Sequence, residues 1–130
     1  MEKRRRRKRE TVVVKLGGSV VTDKASPFTY RGNAVISLSK EMAASQLRLV
    51  VVHGGGSFGH PVAKQYGLSS RASSVWSAEG VSRTRAAMFR LNKLVCSSMS
   101  EAGLSPYPFA PFDLLMIGAE PRYILCSPSP

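Results

Sequence analysis

Residues 49–60 read LVVVHGGGSFGH, and this stretch decides the fold: an apolar run opens directly into three consecutive glycines, a serine and, at its end, a second histidine. A short apolar run bounded by glycine reads as a strand buried in an α/β sheet. Glycines without Cβ let the backbone approach an anion and turn its N–H groups toward it, and a helix starting just afterwards adds its positive end. A second such element lies upstream, where TVVVKL (11–16) runs into Gly17, Gly18 and Ser19, with Lys24 nearby. Two glycine turns at strand ends predict two phosphates.

Working outward, a polar loop containing Asp23, Lys24, Pro27 and Gly32 leads to a helix predicted over 33–47, with Asn33 as its N-cap and Val35, Leu38, Met42 and Ala43 on one face. The next strand, 49–52, should lie parallel to the first, because a helix of crossover length separates them. A short helix is expected over 57–66, starting on Ser57 and stopping at Gly67, with Pro61 in its first turn, where proline is tolerated. Residues 67–75 read as a serine-rich loop. Val81, Met88, Leu91, Val95 and Met99 recur at helical spacing, so 77–102 is the best-patterned helix, with Gly103 as its stop signal. Three prolines within 105–111 argue for an extended path into 112–117, and 121–130 reads as an irregular end.

At 130 residues, 43% of them hydrophobic and 21% charged, the chain is the size of one domain. No apolar run approaches the roughly 18 residues that a membrane-spanning helix needs, and no apolar segment follows the charged N-terminus as in a signal peptide, so a cytoplasmic location is expected. Cys96 and Cys126 lack metal-ligand spacing, which leaves free thiols as the expected state and no protein-bound metal site. The net charge of +11 is unevenly spread: residues 1–10 contribute +5, through seven consecutive basic residues at 3–9. Such a run cannot pack against itself and reads as a solvated, disordered tail. It has no stacking aromatics, so contact with nucleic acid is the lesser reading. The remaining surplus of +6 suits a protein whose ligands are phosphates.

Neither glycine element is a Walker A loop or a dinucleotide G-x-G-x-x-G turn. Phosphoryl transfer is still within reach of these residues, because the protein's work there is to position two anions and neutralise the spreading charge. Lys15, Lys24, the turn Gly54, Gly55, Gly56 and His60 are the plausible parts. Each has a plainer reading: Lys15 as a strand-end lysine reaching for water, Lys24 as surface charge, His60 as a helix-surface histidine and the glycines as a tight turn. His53, behind four apolar residues, reads as a strand-end residue that hydrogen-bonds locally. Joint occurrence after two strands favours phosphate handling.

KLGGSVVTDK (15–24) together with VVHGGGSFGHPVAKQYG (51–67) resembles the amino acid kinase superfamily, and S-F-G-H within it resembles the isopentenyl phosphate kinase branch. The segment 90–93 and the Pro-Tyr-Pro after the long helix are similar to that branch as well. The resemblance implies a three-layer α/β fold with a mainly parallel sheet, of which 11–120 is the N-terminal, acceptor-binding lobe. It implies that Lys15, Leu16, Gly17, Gly18 and Ser19 contact ATP phosphates, that Lys24 stabilises charge in the transition state and that Gly56 touches ATP. Gly54, Gly55 and His60 would meet the acceptor, with His60 on its phosphate, and residues 63–88 could line a pocket for its prenyl tail. The implied reaction phosphorylates isopentenyl phosphate with ATP and Mg2+, in a homodimer when full length. The superfamily runs to roughly twice this length and carries its adenine pocket in the second half. A truncated or frame-shifted chain, poorly stable or self-associating and with little activity alone, is therefore expected. Rival readings are a kinase for another small phosphate or carboxylate, and a non-catalytic anion- or nucleic-acid-binding remnant.

Overall fold

The computed structural model describes residues 10–68, 77–110, 115–117 and 124–126. The architecture is α/β, in the order β1 (Thr11–Leu16), α1 (Gly18–Val21), α2 (Gly32–Ala44), β2 (Arg48–His53), α3 (Gly56–Gln65), α4 (Ala78–Glu101), β3 (Leu115–Ile117) and β4 (Ile124–Cys126). β1 and β2 pair in parallel, Val13 opposite Val50 and Leu16 opposite His53, so both strands end at the same edge and deliver their glycines to one place. β3 and β4 form a separate antiparallel pair. The second of these lies inside the stretch expected to be irregular, where Ile124 pairs with Ile117. The basic run at 3–9, the centre of the serine-rich loop and residues 127–130 lie outside the described residues.

Strand alternation assigns the two sheet faces. Val12, Val14 and Leu16 with Leu49 and Val51 turn toward the helices, whereas Val13, Val50 and Val52 stay exposed. Among the described residues, helices thus cover one face of the β1–β2 pair. The core gathers Leu16, Val21, Val35, Phe58, Leu91, Val95 and Met99, drawn from every helix and from β1. Phe58 and Leu91 are fully buried, each worth about 2–3 kcal/mol of apolar transfer free energy. α4 is the spine against which α2 and α3 pack.

Helix ends follow local chemistry. Ser77 caps α4 by accepting from the N–H of Gly80 at 3.0 Å, and Gly103, at φ +89, ends it. There the Leu104 N–H reaches the Met99 carbonyl and the Gly103 N–H that of Ser100, and Gly67 ends α3 with the same paired bonds. α2 departs from the expected limits. It starts at Gly32 rather than on an Asn33 cap, because the Arg31 N–H is engaged by the Val21 carbonyl and its guanidinium by that of Ser19. It stops at Ala44, since Gln46 takes a left-handed φ of +54 and lets the chain turn into β2. No helix among the described residues is long and apolar enough to cross a membrane.

Candidate active site

The two glycine turns touch. A Cβ on Gly54 would lie 2.8 Å from the Gly18 nitrogen, and one on Gly18 would lie 2.8 Å from Gly56 Cα. Gly56 also has φ +45, a conformation that suits glycine, and its missing side chain leaves the space that Thr22 Oγ1 occupies. The second turn is tied to the end of β1 by the Gly54 N–H, which donates to the Leu16 carbonyl at 3.0 Å. Behind the second, Met88 of α4 rests against Gly55 and Gly59, where a Cβ would come within 3.0 and 2.8 Å of its sulfur.

A pocket of about 330 Å³ opens at this junction, lined by Gly18, Ser19, Lys24, Pro27, Gly56, Ser57, His60 and Pro61. Its lining holds a lysine and a histidine and no carboxylate. The N–H groups of Gly18, Ser19, Gly55 and Gly56 take no backbone acceptor among the described residues. Donors left over at a glycine turn, beside a lysine, form a setting for anionic oxygens. Asp23, the carboxylate next to Lys24 in sequence, is turned to its own backbone, accepting from the Ala25 N–H at 2.9 Å. Lys24 makes no ion pair among the described residues.

The loop that carries Lys24 is strapped across the start of α3. Its ends are joined by the Thr22–Tyr30 bridge, and the Phe28 N–H donates to the Ser57 carbonyl at 3.0 Å. That carbonyl is open to Phe28 because of Pro61. α3 begins at Gly56, so Pro61 sits in the second turn rather than the first, and it has no N–H to offer the carbonyl four residues back. Phe28 is held at φ +54, a conformation a bulky residue rarely adopts. Its ring meets Phe58 edge-on at 5.5 Å, and the Arg90 guanidinium lies 5.9 and 5.8 Å from the two ring centroids.

The structure therefore brings Gly18, Ser19, Lys24, Gly56 and His60 around one pocket. Lys15 does not line it. Its side chain is exposed on β1, on the strand face opposite Leu16. Leu16 is buried in the core, Gly17 is the N-cap of α1, Gly54 packs against Gly18 of the first turn, and Gly55 packs against Met88 of α4. His53 bonds at the strand end, Nδ1 donating to the Gly54 carbonyl at 3.2 Å and Nε2 accepting from Asn92 at 3.1 Å. Sequence reasoning did not single out Thr22 or Phe28, named Met88 only on a helix face and at the end of the 63–88 pocket range, and covered Asn92 only within the segment 90–93. A threonine after an apolar pair or an asparagine in a helix has no pattern of its own, although Phe28, apolar in a polar loop, was a signal.

The family model of the Amino acid kinase family matches residues 10–126. Over 104 residues the chain is 45% identical to the isopentenyl phosphate kinase of Haloferax volcanii, an alignment covering 78% of this chain and 42% of that protein. It is 38% identical over 95 residues to the isopentenyl phosphate kinase of Thermoplasma acidophilum, covering 73% and 38%. Among solved structures, an isopentenyl phosphate kinase substrate complex superposes with a TM-score of 0.64 at 36% identity, over 74% of this chain and 40% of that one. The chain thus spans about two fifths of the length of the relatives it matches.

Proposed function

The chain belongs to the amino acid kinase family, and from that premise we propose that it forms the acceptor-binding part of an ATP-dependent kinase that converts isopentenyl phosphate to isopentenyl diphosphate. One observation carries the reading: two glycine turns in backbone contact present free N–H groups to a pocket that also holds Lys24 and His60. The relatives named for this activity include a substrate complex that superposes on the chain.

In this mechanism the Gly18, Ser19 and Gly56 amides hold the donor phosphates, and the Gly55 amide faces the acceptor side. His60 grips the acceptor phosphate through an imidazole nitrogen. Lys24, a mobile point charge, meets the negative charge that spreads over the transferred oxygens. An oxygen of the acceptor phosphate attacks the γ-phosphorus of ATP, the bond to the bridging oxygen breaks, and ADP leaves. The acceptor oxygen is already anionic, so no protein base is required. Magnesium is usually held by one or two carboxylates together with substrate phosphates and water, and since this pocket lining holds no carboxylate the ion would rest mainly on the phosphates. Here Ser19 would add a hydroxyl oxygen, and the ion would supply charge neutralisation on the phosphates. Homodimeric assembly and a cytoplasmic location belong to the same proposal.

The test is phosphorylation by the purified protein of a panel holding isopentenyl phosphate, dimethylallyl phosphate, fosfomycin and UMP. Isopentenyl phosphate should rank among the best acceptors by kcat/KM. If it ranks below fosfomycin or UMP, the acceptor assignment is wrong.

A further inference from the structure

Thr22 is wholly buried, and its hydroxyl is spent on the two turns at once. Oγ1 donates to the Gly18 carbonyl at 2.7 Å and accepts from the Ser57 N–H at 2.9 Å. The Thr22 backbone N–H donates to the same Gly18 carbonyl at 2.9 Å, and Thr22 is also the residue that bridges Tyr30 to close the loop bearing Lys24. Three separately encoded parts, namely the first glycine turn, the second glycine turn and the Lys24 loop, therefore meet on one side chain.

From this geometry we infer that Thr22 is a positioning residue for phosphoryl transfer, fixing the spacing and orientation of the donor-side and acceptor-side turns relative to each other. The inference rests on reading the pocket as a phosphoryl-transfer site. A trans peptide points its C=O and N–H in opposite directions. Clamping the Gly18 carbonyl inward therefore aims the Ser19 N–H, on the far side of the same peptide, away from the core. Taking the Ser57 N–H fixes where α3 begins, and so where the Gly56 amide lies. In-line transfer depends on the distance between two anions held by different turns, and a shift on the ångström scale there can cost roughly 100-fold in rate. A hydroxyl is the group suited to the junction, since it donates to one turn while accepting from the other.

Two substitutions separate the hydroxyl from its volume. Thr22→Val keeps the branched shape and removes both bonds; Thr22→Ser keeps both bonds and removes a methyl. In the purified protein Thr22→Val should lower kcat roughly 10- to 100-fold, with the KM values for ATP and isopentenyl phosphate within about 3-fold of wild type. Thr22→Ser should retain most of kcat. Equal losses in both variants, or a Val variant with wild-type kcat, would overturn the inference. Amide hydrogen exchange, read without any substrate, gives the second measure: in Thr22→Val the Ser57 amide should exchange faster while the amides of Leu91 and Val95 in α4 keep their protection. Unchanged Ser57 exchange overturns the inference whichever acceptor the protein uses. A wild-type protein that phosphorylates fosfomycin or UMP and leaves isopentenyl phosphate untouched defeats the acceptor assignment, and Ser57 exchange then decides the role of Thr22 alone.

Discussion

At the scale of single residues, His60 and Tyr30 show how the same fold assigns one group to the pocket and another to the core. His60 is exposed and lines the pocket beside Lys24. His60→Ala should weaken isopentenyl phosphate binding by roughly 10-fold, the loss of one charge-assisted hydrogen bond, and leave ATP affinity unchanged in isothermal titration. Normal acceptor binding by that variant would remove His60 from its role. Tyr30 bonds across the fold instead, donating to Ser98 Oγ at 2.8 Å and lying 3.2 Å from the Leu94 carbonyl. Burial raises its pKa above the ordinary tyrosine value, with the Ser98 bond acting in the opposite direction. A raised pKa favours the neutral phenol in the folded state, so its contribution is complete below the unfolded-chain value of about 10 and is lost as pH rises through the folded value. Tyr30→Phe should cost about 1 kcal/mol at neutral pH and flatten the fall of stability above pH 10, both read from urea unfolding curves at several pH values.

At the scale of elements, the helix boundaries came from backbone chemistry that sequence shows well at glycines and poorly elsewhere. Gly67 and Gly103 were readable as stops and end α3 and α4 with positive φ. Gly103→Ala should destabilise by about 1 kcal/mol, the usual penalty for a side chain in the left-handed region, and a few degrees lower midpoint in thermal unfolding would show it. A wild-type midpoint would mean that the end of α4 contributes nothing to global stability. Gly80 lies in the first turn of α4, where glycine weakens a helix. In the fold a Cβ there would come within 2.6 Å of Tyr66 Cβ, so glycine lets the start of α4 pack against the end of α3. The cap of α2 was misplaced by two residues, Asn33 for Arg31, because Arg31 is fixed by tertiary bonds to α1 and not by a local cap.

At the scale of the whole molecule, Val13, Val50 and Val52 form an apolar stripe on the open face of the sheet, Val13 being 66% exposed and the other two 48% each. An apolar face of this kind tends to find another surface. The chain should therefore self-associate in sedimentation velocity at micromolar concentrations, and Val50→Thr, which keeps the β-branch and adds a hydroxyl, should shift it toward monomer. A wild-type chain that sediments as a monomer would contradict this. The sequence by itself determined the α/β class, the two parallel strands and the helices α2, α3 and α4, because these rest on local periodicity and on glycines whose backbone need is local, while its two glycine motifs carried the resemblance to the family. It also placed Gly18, Ser19, Lys24, Gly56 and His60 among the candidates before any geometry was known. Only the tertiary structure decided that the two turns touch, that Lys15 stands outside the pocket wall, that Pro61 frees the Ser57 carbonyl for Phe28 and that Thr22 joins the parts. These are contacts between segments far apart in the chain, where hydrogen-bond partners are chosen by how the strands and helices dock, and no spacing within one segment records that choice.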